Sequence, residues 1–324
     1  MSVYEGILFG IKFKINPVAF TLPIGDGWDI YWYGIMIGLG FLAALIYAFY
    51  TAKRYEIDVD RMLDVALVTT PLAILCARAY YVIFDGNKLE SFADFFGLGN
   101  GHGVAGLAIY GGVIGAFLFG GLACKWRKVN ILDMFDLTAT CFILAQAIGR
   151  WGNFFNQEAY GTSTGSSWWG MTSNQIMYQT GSAELVHPCF LYEFIWCIIG
   201  FIIIDRIGRN RKFKGQLVLS YGIWYGFGRG FIEQLRTDSL YIGSIRVSAL
   251  LSFTVAIAFG ALMYYILKKQ KTVAQNETYS NMFVSENETD DETTVENEQN
   301  DEVVEENEQV EEVIEYNDDN GEDN

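Results

Sequence analysis

Between Gly149 and Gly161 the chain reads GRWGNFFNQEAYG. Arg150 offers a planar, permanently charged fork of donors, Asn153 and Asn156 can donate and accept, Glu158 can orient them, and the glycines let a ligand come close to the backbone. That set suits an anionic headgroup. A second cluster, HPCFLYE, brings His187, Tyr192 and Glu193 together, and a third, GRGFIEQLR, sets Arg229, Glu233 and Arg236 at spacings of four and three along what reads as one side of a helix.

Such groups need elements that hold them at one level, and the composition says what those elements sit in. The 324 residues are 51% hydrophobic and 16% aromatic, with four prolines and two histidines, too apolar for an ordinary soluble enzyme. A helix needs about 20 mainly apolar residues to cross a bilayer. Tyr31 to Tyr50 and Val247 to Leu267 meet that without a charge, and Val104 to Cys124 is an uncharged, glycine-rich third run. Windows at 63–84, 131–149, 189–204 and 216–232 each carry one or two charges. The expectation is an all-α integral membrane protein of seven spans, with the first thirty residues retained at the interface.

Lysine and arginine in short loops stay on the cytoplasmic side. Alternate loops hold 14 of the 22 cations, at 53–61, 125–128, 206–214 and 268–271, which places the N-terminus outside and the C-terminus inside. All 22 cations lie at or before Lys271, while 20 of the 38 acids lie at or after Glu277. The chain therefore divides into a membrane domain, 1–271, with an outer-face loop region at 149–188, and an acidic tail, 272–324. Its Glu-Asn-Glu repeat at 286, 296 and 306 and its mutually repelling charges are expected to keep the tail disordered in the cytoplasm. A basic nucleic-acid-binding domain is excluded, so no nucleic-acid partner is expected. The five cysteines sit in or beside apolar stretches and read as packing residues.

Ionisable groups inside a span are expensive and so are functional candidates. With the orientation above, Arg78 and Arg229 both lie roughly 20 Å up from the inner ends of their helices, at about 1.5 Å per residue. Tyr33, Tyr110, Arg150, Tyr192, Glu193 and Glu233 also fall near outer helix ends, whereas Asp64, Asp133, Asp136 and Asp205 sit at inner ends. A transporter would carry polar groups through the midplane. The pattern instead describes a pocket open to the outer leaflet, although a seven-span transporter or receptor with an anionic-lipid pocket is the alternative reading. Arg78 taken alone reads as positional, a cation reaching for headgroups.

The order WYG at residue 32, the glycine-rich third span, G-R-x-G-N-x-x-N-x-E-x-x-G, H-P-x-x-L-Y-E and a final G-R-x-x-x-E closely resembles the prolipoprotein diacylglyceryl transferase family of the bacterial cell membrane, from about residue 25 to 268. The resemblance implies transfer of the diacylglyceryl group of phosphatidylglycerol to the lipobox cysteine of a preprolipoprotein, releasing glycerol phosphate, on the outer face of a seven-span protein. It makes Arg150 the holder of the lipid phosphate and Arg229 a second essential arginine. Tyr33, Asn153, Glu158 and Gly161 match positions needed for activity or site shape, and Tyr192, Glu193, Glu233 and Arg236 match supporting ones. Many members have a histidine before the paired glycines of the third span. Here Tyr110 precedes Gly111 and Gly112, so a histidine base is missing at that place.

The chemistry so implied needs no metal or other cofactor, and two histidines in distant segments make a poor ligand set. The thiol must still lose its proton, since the thiolate is the nucleophile. Candidates are the field of the arginines, Glu193 or Glu233, and His187, and these stay open. Tyr110 reads first as a structural hydrogen-bonding group, His187 as a cap or interfacial residue, His102 as a solvent-facing loop residue, and Trp168 and Trp169 as interfacial anchors near where a peptide could dock.

Overall fold

The computed structural model describes residues 3–23, 27–84, 95, 106–237, 241–242 and 245–273. His102 and the acidic tail, with its expected disorder, lie outside them. The first helix, α1 (Trp32–Thr51), is a 20-residue run without a charge. It leads through a 3-10 turn and Glu56, in the left-handed region at φ 59°, into α2 (Val59–Phe84). The third helix, α3 (Ile109–Arg127), begins later than the apolar window suggests. Asn130 caps α4 (Ile131–Asn156) by accepting from the N–H groups of Leu132 and Asp133 at 3.0 and 3.2 Å. A short α5 (Asn174–Thr180) is followed by α6 (Cys189–Arg209), α7 (Gln216–Ile232) and α8 (Val247–Val273).

Five of these helices, α1, α2, α3, α4 and α8, are long and apolar enough to cross a membrane. Of the remaining two long ones, α7 has 17 residues and α6 carries Glu193, Asp205, Arg206 and Arg209. Lipid supplies no hydrophobic force between helices, so close backbone packing must do that work. Gly111 and Gly115 bring α3 onto α2, where a β-carbon on Gly115 would stand 2.6 Å from Cys76 Cβ. Gly40 brings α1 onto α4 at the carbonyl of Ala145. The core between them holds Tyr55, Met62, Leu137, Ile143, Ile204 and Leu217, all nearly inaccessible. The five cysteines are free thiols.

At the end of α4 remote from the glycine-rich motif, the buried carboxylate of Asp136 accepts from the N–H groups of Gly215, Leu217 and Val218 at 2.9, 2.9 and 3.1 Å, and from Arg211 at 3.0 Å. It caps the start of α7 from a neighbouring helix, a role that the orphan N–H groups of a helix's first turn invite.

The chain is mostly helical, but the N-terminal segment expected only to lie at an interface folds as strands. Ile11-Lys12-Phe13-Lys14-Ile15 alternates apolar and polar residues, the two-residue period of a strand. β1 (Tyr4–Leu8) and β2 (Ile11–Ile15) form a hairpin across Phe9 and Gly10, both at positive φ, and β1 also pairs with β5 (Met171–Ser173). β3 (Val18–Leu22) pairs with β4 (Trp28–Tyr31), which runs directly into α1. A last pair, β6 (Tyr241–Ile242) and β7 (Ile245–Arg246), precedes α8. Contacts divide the chain into a unit ending at Ala261, which holds the strands, α1 to α7 and the first part of α8, and one beginning at Leu262, whose described part is the end of α8.

Candidate active site

The first eight residues of the glycine-rich motif, 149–156, form the last two turns of α4, which closes where Gln157, at φ 55°, donates back to Asn153 and Phe154, and the rest of the motif runs on past the helix. Arg150 thus projects from a rigid helix. Its Nε lies 2.8 Å from Oε2 of Glu193 on α6, and one Nη donates to the hydroxyl of Tyr225 on α7 at 3.4 Å. Its other Nη has no hydrogen-bond partner among the described residues.

Glu193 is the hub. Its side chain is 2% exposed, and its Oε1 lies 2.5 Å from Arg229 and 3.4 Å from Arg236 while its Oε2 faces Arg150. Arg229 also pairs with Glu233 one turn on, at 2.5 Å. Arg246 joins by donating to the carbonyl of Glu233 and, at 3.2 Å, to that of Arg236. Four guanidinium groups therefore surround two buried carboxylates. Burying a charge is tolerable only when it is paired, and here the cations outnumber the anions. The surplus comes from Arg150 on α4, Arg229 on α7, Arg236 in the loop after it and Arg246 in β7, and it leaves the cluster net positive.

One placement expected from spacing is corrected. Arg236 does not lie along the helix with Arg229 and Glu233, because α7 ends at Ile232 with Glu233 as its cap. The chain turns there, and Arg236 bridges to Gly161 as in an antiparallel sheet. It reaches Glu193 from the loop. Gly161 makes that approach possible, since a β-carbon there would stand 2.8 Å from both the carbonyl of Leu235 and the β-carbon of His187. The N–H of Gly161 donates to the His187 carbonyl at 2.8 Å.

Asn153 and Asn156 donate to Glu158 at 2.9 and 3.4 Å, closing the end of α4. Tyr33, at the start of α1, lays its ring on Gly152 between Arg150 and Asn153. The Tyr192 hydroxyl accepts from the indole of Trp169 at 3.0 Å and meets Nδ1 of His187 at 3.1 Å, so Trp169 is tied to this group as well as exposed. Tyr110 stands apart. It is 49% exposed at the start of α3, its ring centroid 6.5 Å from that of Tyr80, and no hydrogen bond among the described residues joins it to the arginines. Arg78 donates to the carbonyls of Phe95 and Gly106 at 3.0 and 3.1 Å and stacks over Tyr81.

Two contributors were missed from sequence. Tyr225 lies four residues before Arg229, on the same helix face, and that spacing could have found it. Arg246 sits beyond α7 next to the last span and carries no such signal.

A helical membrane protein with a buried, net-positive site of arginines knit together by carboxylates is the class that this fold and site define. A family model described as prolipoprotein diacylglyceryl transferase matches residues 17–265. The chain is 44% identical over 250 residues to the phosphatidylglycerol–prolipoprotein diacylglyceryl transferase of Clostridium novyi, covering 75% of this chain and 93% of the relative. It is 42% identical over 272 residues to phosphatidylglycerol–prolipoprotein diacylglyceryl transferase 1 of Clostridium perfringens, covering 81% and 100%. The relative of that name from Clostridioides difficile is 39% identical over 264 residues, covering 81% and 100%. The chain belongs to the prolipoprotein diacylglyceryl transferase family. These relatives lend no support to the transporter or receptor reading.

Proposed function

We propose that this chain transfers the diacylglyceryl group of phosphatidylglycerol to the thiol of a prolipoprotein's lipobox cysteine in the bacterial cell membrane. The sulfur attacks a glyceryl carbon, an S–C bond forms as the C–O bond to phosphate breaks, and glycerol phosphate leaves with the electron pair. The single observation that carries the reading is the buried carboxylate of Glu193 facing Arg150, Arg229 and Arg236 at once.

Glu193 and Glu233 hold the guanidiniums in place before the lipid arrives. Charge growing on the leaving phosphate then meets donors that need no reorganisation, which is where electrostatic catalysis gains most. Arg150 and Arg229 take the phosphate, with Arg236 in support. The same positive field favours the thiolate of the incoming cysteine. Both carboxylates are engaged by arginines, which leaves them the task of holding the guanidiniums. Asn153, Glu158 and Tyr33 shape the wall of the pocket, Gly161 lets the loops close on it, and His187 with Tyr192 borders the side where Trp169 lies.

The cluster belongs at the outer leaflet of a seven-span bundle in which α6 and α7 cross along with the five more apolar helices, with the N-terminus outside and the C-terminus in the cytoplasm. The test is direct. The purified full chain in nanodiscs, given labelled phosphatidylglycerol and a lipobox peptide, should add the mass of a diacylglyceryl group to the peptide's cysteine. A peptide unchanged in mass, with correctly folded protein, rejects the reading.

A further inference from the structure

The ion pairs of the site cross from α6 to α7: Glu193 is on one helix and Arg229 on the other. Slipping one helix past the other by a single residue would move these groups by about 1.5 Å along the axis and turn them by about 100°. Nothing in lipid opposes such a slip except specific contacts.

Trp196 of α6 and Trp224 of α7 make such a contact. The indole of Trp196 donates to the carbonyl of Trp224 at 3.0 Å, and the indole of Trp224 donates to the carbonyl of Trp196 at 2.9 Å. The two rings stack with centroids 4.4 Å apart and 16° between their planes. A helical carbonyl is normally covered by the side chain about one turn further on, because side chains lean toward the helix N-terminus. In both helices that position is glycine: Gly200 follows Trp196 and Gly228 follows Trp224 by four residues. A β-carbon on either glycine would overlap the opposite indole. The same W-x-x-x-G run in two antiparallel helices therefore gives a reciprocal lock, each tryptophan filling the notch beside the other. Ile143 of α4, fully buried, closes the floor beneath Gly200.

The lock is one turn from the cluster. Trp196 is three residues from Glu193, and Gly228 adjoins Arg229. We propose that the Trp196–Trp224 pair is a register pin that sets Glu193 against Arg229, making both tryptophans positioning residues for the transfer reaction, on whose assignment above this inference rests. Among the described residues neither indole makes a hydrogen bond or cation–π contact with an arginine, so the pin acts through the helix backbones.

The test uses the full chain in nanodiscs with phosphatidylglycerol and a lipobox peptide. Trp196→Phe and Trp224→Phe keep a ring in the notch and remove one donor each. Each should lower kcat by about tenfold, the order expected of a sub-ångström misplacement, with KM for the lipid within about twofold. In a Glu193→Gln background Trp196→Phe should add less than about a twofold further loss, since the pair it serves is already broken. A separate readout needs no activity: spin labels on unnatural side chains replacing the exposed Ile199 and Phe227 should give a narrow coupling in the parent and a broadened one in Trp196→Phe. An undiminished kcat, losses that simply multiply in the double variant, an unchanged coupling, or a Trp196→Phe chain that cannot be isolated folded would each overturn the pin. A parent chain without transfer activity would instead reject the functional reading and leave the coupling measurement to judge the pin.

Discussion

The ring of Tyr33 rests on Gly152, so closely that a β-carbon on the glycine would lie 2.7 Å from the ring. This contact joins the first turn of α1 to the motif turn of α4, and it explains why a glycine stands two residues after Arg150. Gly152→Ala should displace the ring or the helix end. Overpacking of this kind costs roughly 1–3 kcal/mol, so the variant should melt earlier and lose activity by more than its melting shift alone explains. Tyr33→Ala in the Gly152→Ala background, which removes the clash, should recover the melting temperature but not turnover.

Asp136 anchors α7 from the opposite end. It is wholly buried and its four donors come from residues 211 to 218. Asp136→Ala takes the acceptor from three buried backbone N–H groups, at about 1–3 kcal/mol each, and leaves Arg211 with Asp133 as its remaining carboxylate. Thermal unfolding in detergent should show a strongly lowered midpoint. Asp136→Asn, which keeps one acceptor oxygen, should fall between.

Tyr225, inside the cluster, and Tyr110, apart from it, should respond differently to loss of the hydroxyl. Tyr225→Phe removes the hydroxyl that accepts from Arg150 at 3.4 Å, and a hydrogen bond to a charged group is worth about 1.5–3 kcal/mol, so turnover should fall tenfold or more. Tyr110→Phe, with no such bond, should cost about tenfold or less, the worth of one net neutral hydrogen bond. Steady-state turnover of both folded variants decides. A dead Tyr110→Phe enzyme would give that phenol a part in proton transfer.

Much of this was legible in the chain. The charge-free windows marked α1 and α8, and the three motifs named Arg150, Glu193, Arg229 and Glu233, which the structure brings together, while Arg78 and Tyr110, expected at the same level, stand apart from them. Three things were hidden. Arg236 looked helical because a spacing of three after Glu233 fits a helix, and only the tertiary bridge to Gly161 shows that the chain has turned. The strands at 4–31 were short, and their alternation was masked by the stronger apolar signal of the helix that follows. Glu193 as a three-way hub needed three dimensions, since its partners come from residues 150, 229 and 236.

The family match ends at residue 265, and the acidic tail begins past it. Deleting residues 275–324 should leave transfer within about threefold of the parent. Loss of activity in a stably expressed truncation would give the tail a part in catalysis or substrate delivery.

Arg150 is the central test. Lysine keeps its charge but not the planar fork that can hold Glu193 with one edge and a phosphate with the other. Turnover and phosphatidylglycerol binding should be measured side by side in nanodiscs for Arg150→Lys and Arg150→Gln, with folding checked by melting. The mechanism predicts that Arg150→Lys loses most activity and Arg150→Gln nearly all, several kcal/mol of transition-state stabilisation by analogy with other lost charge-stabilising donors. A folded Arg150→Gln enzyme that turns over near the parent rate would contradict it.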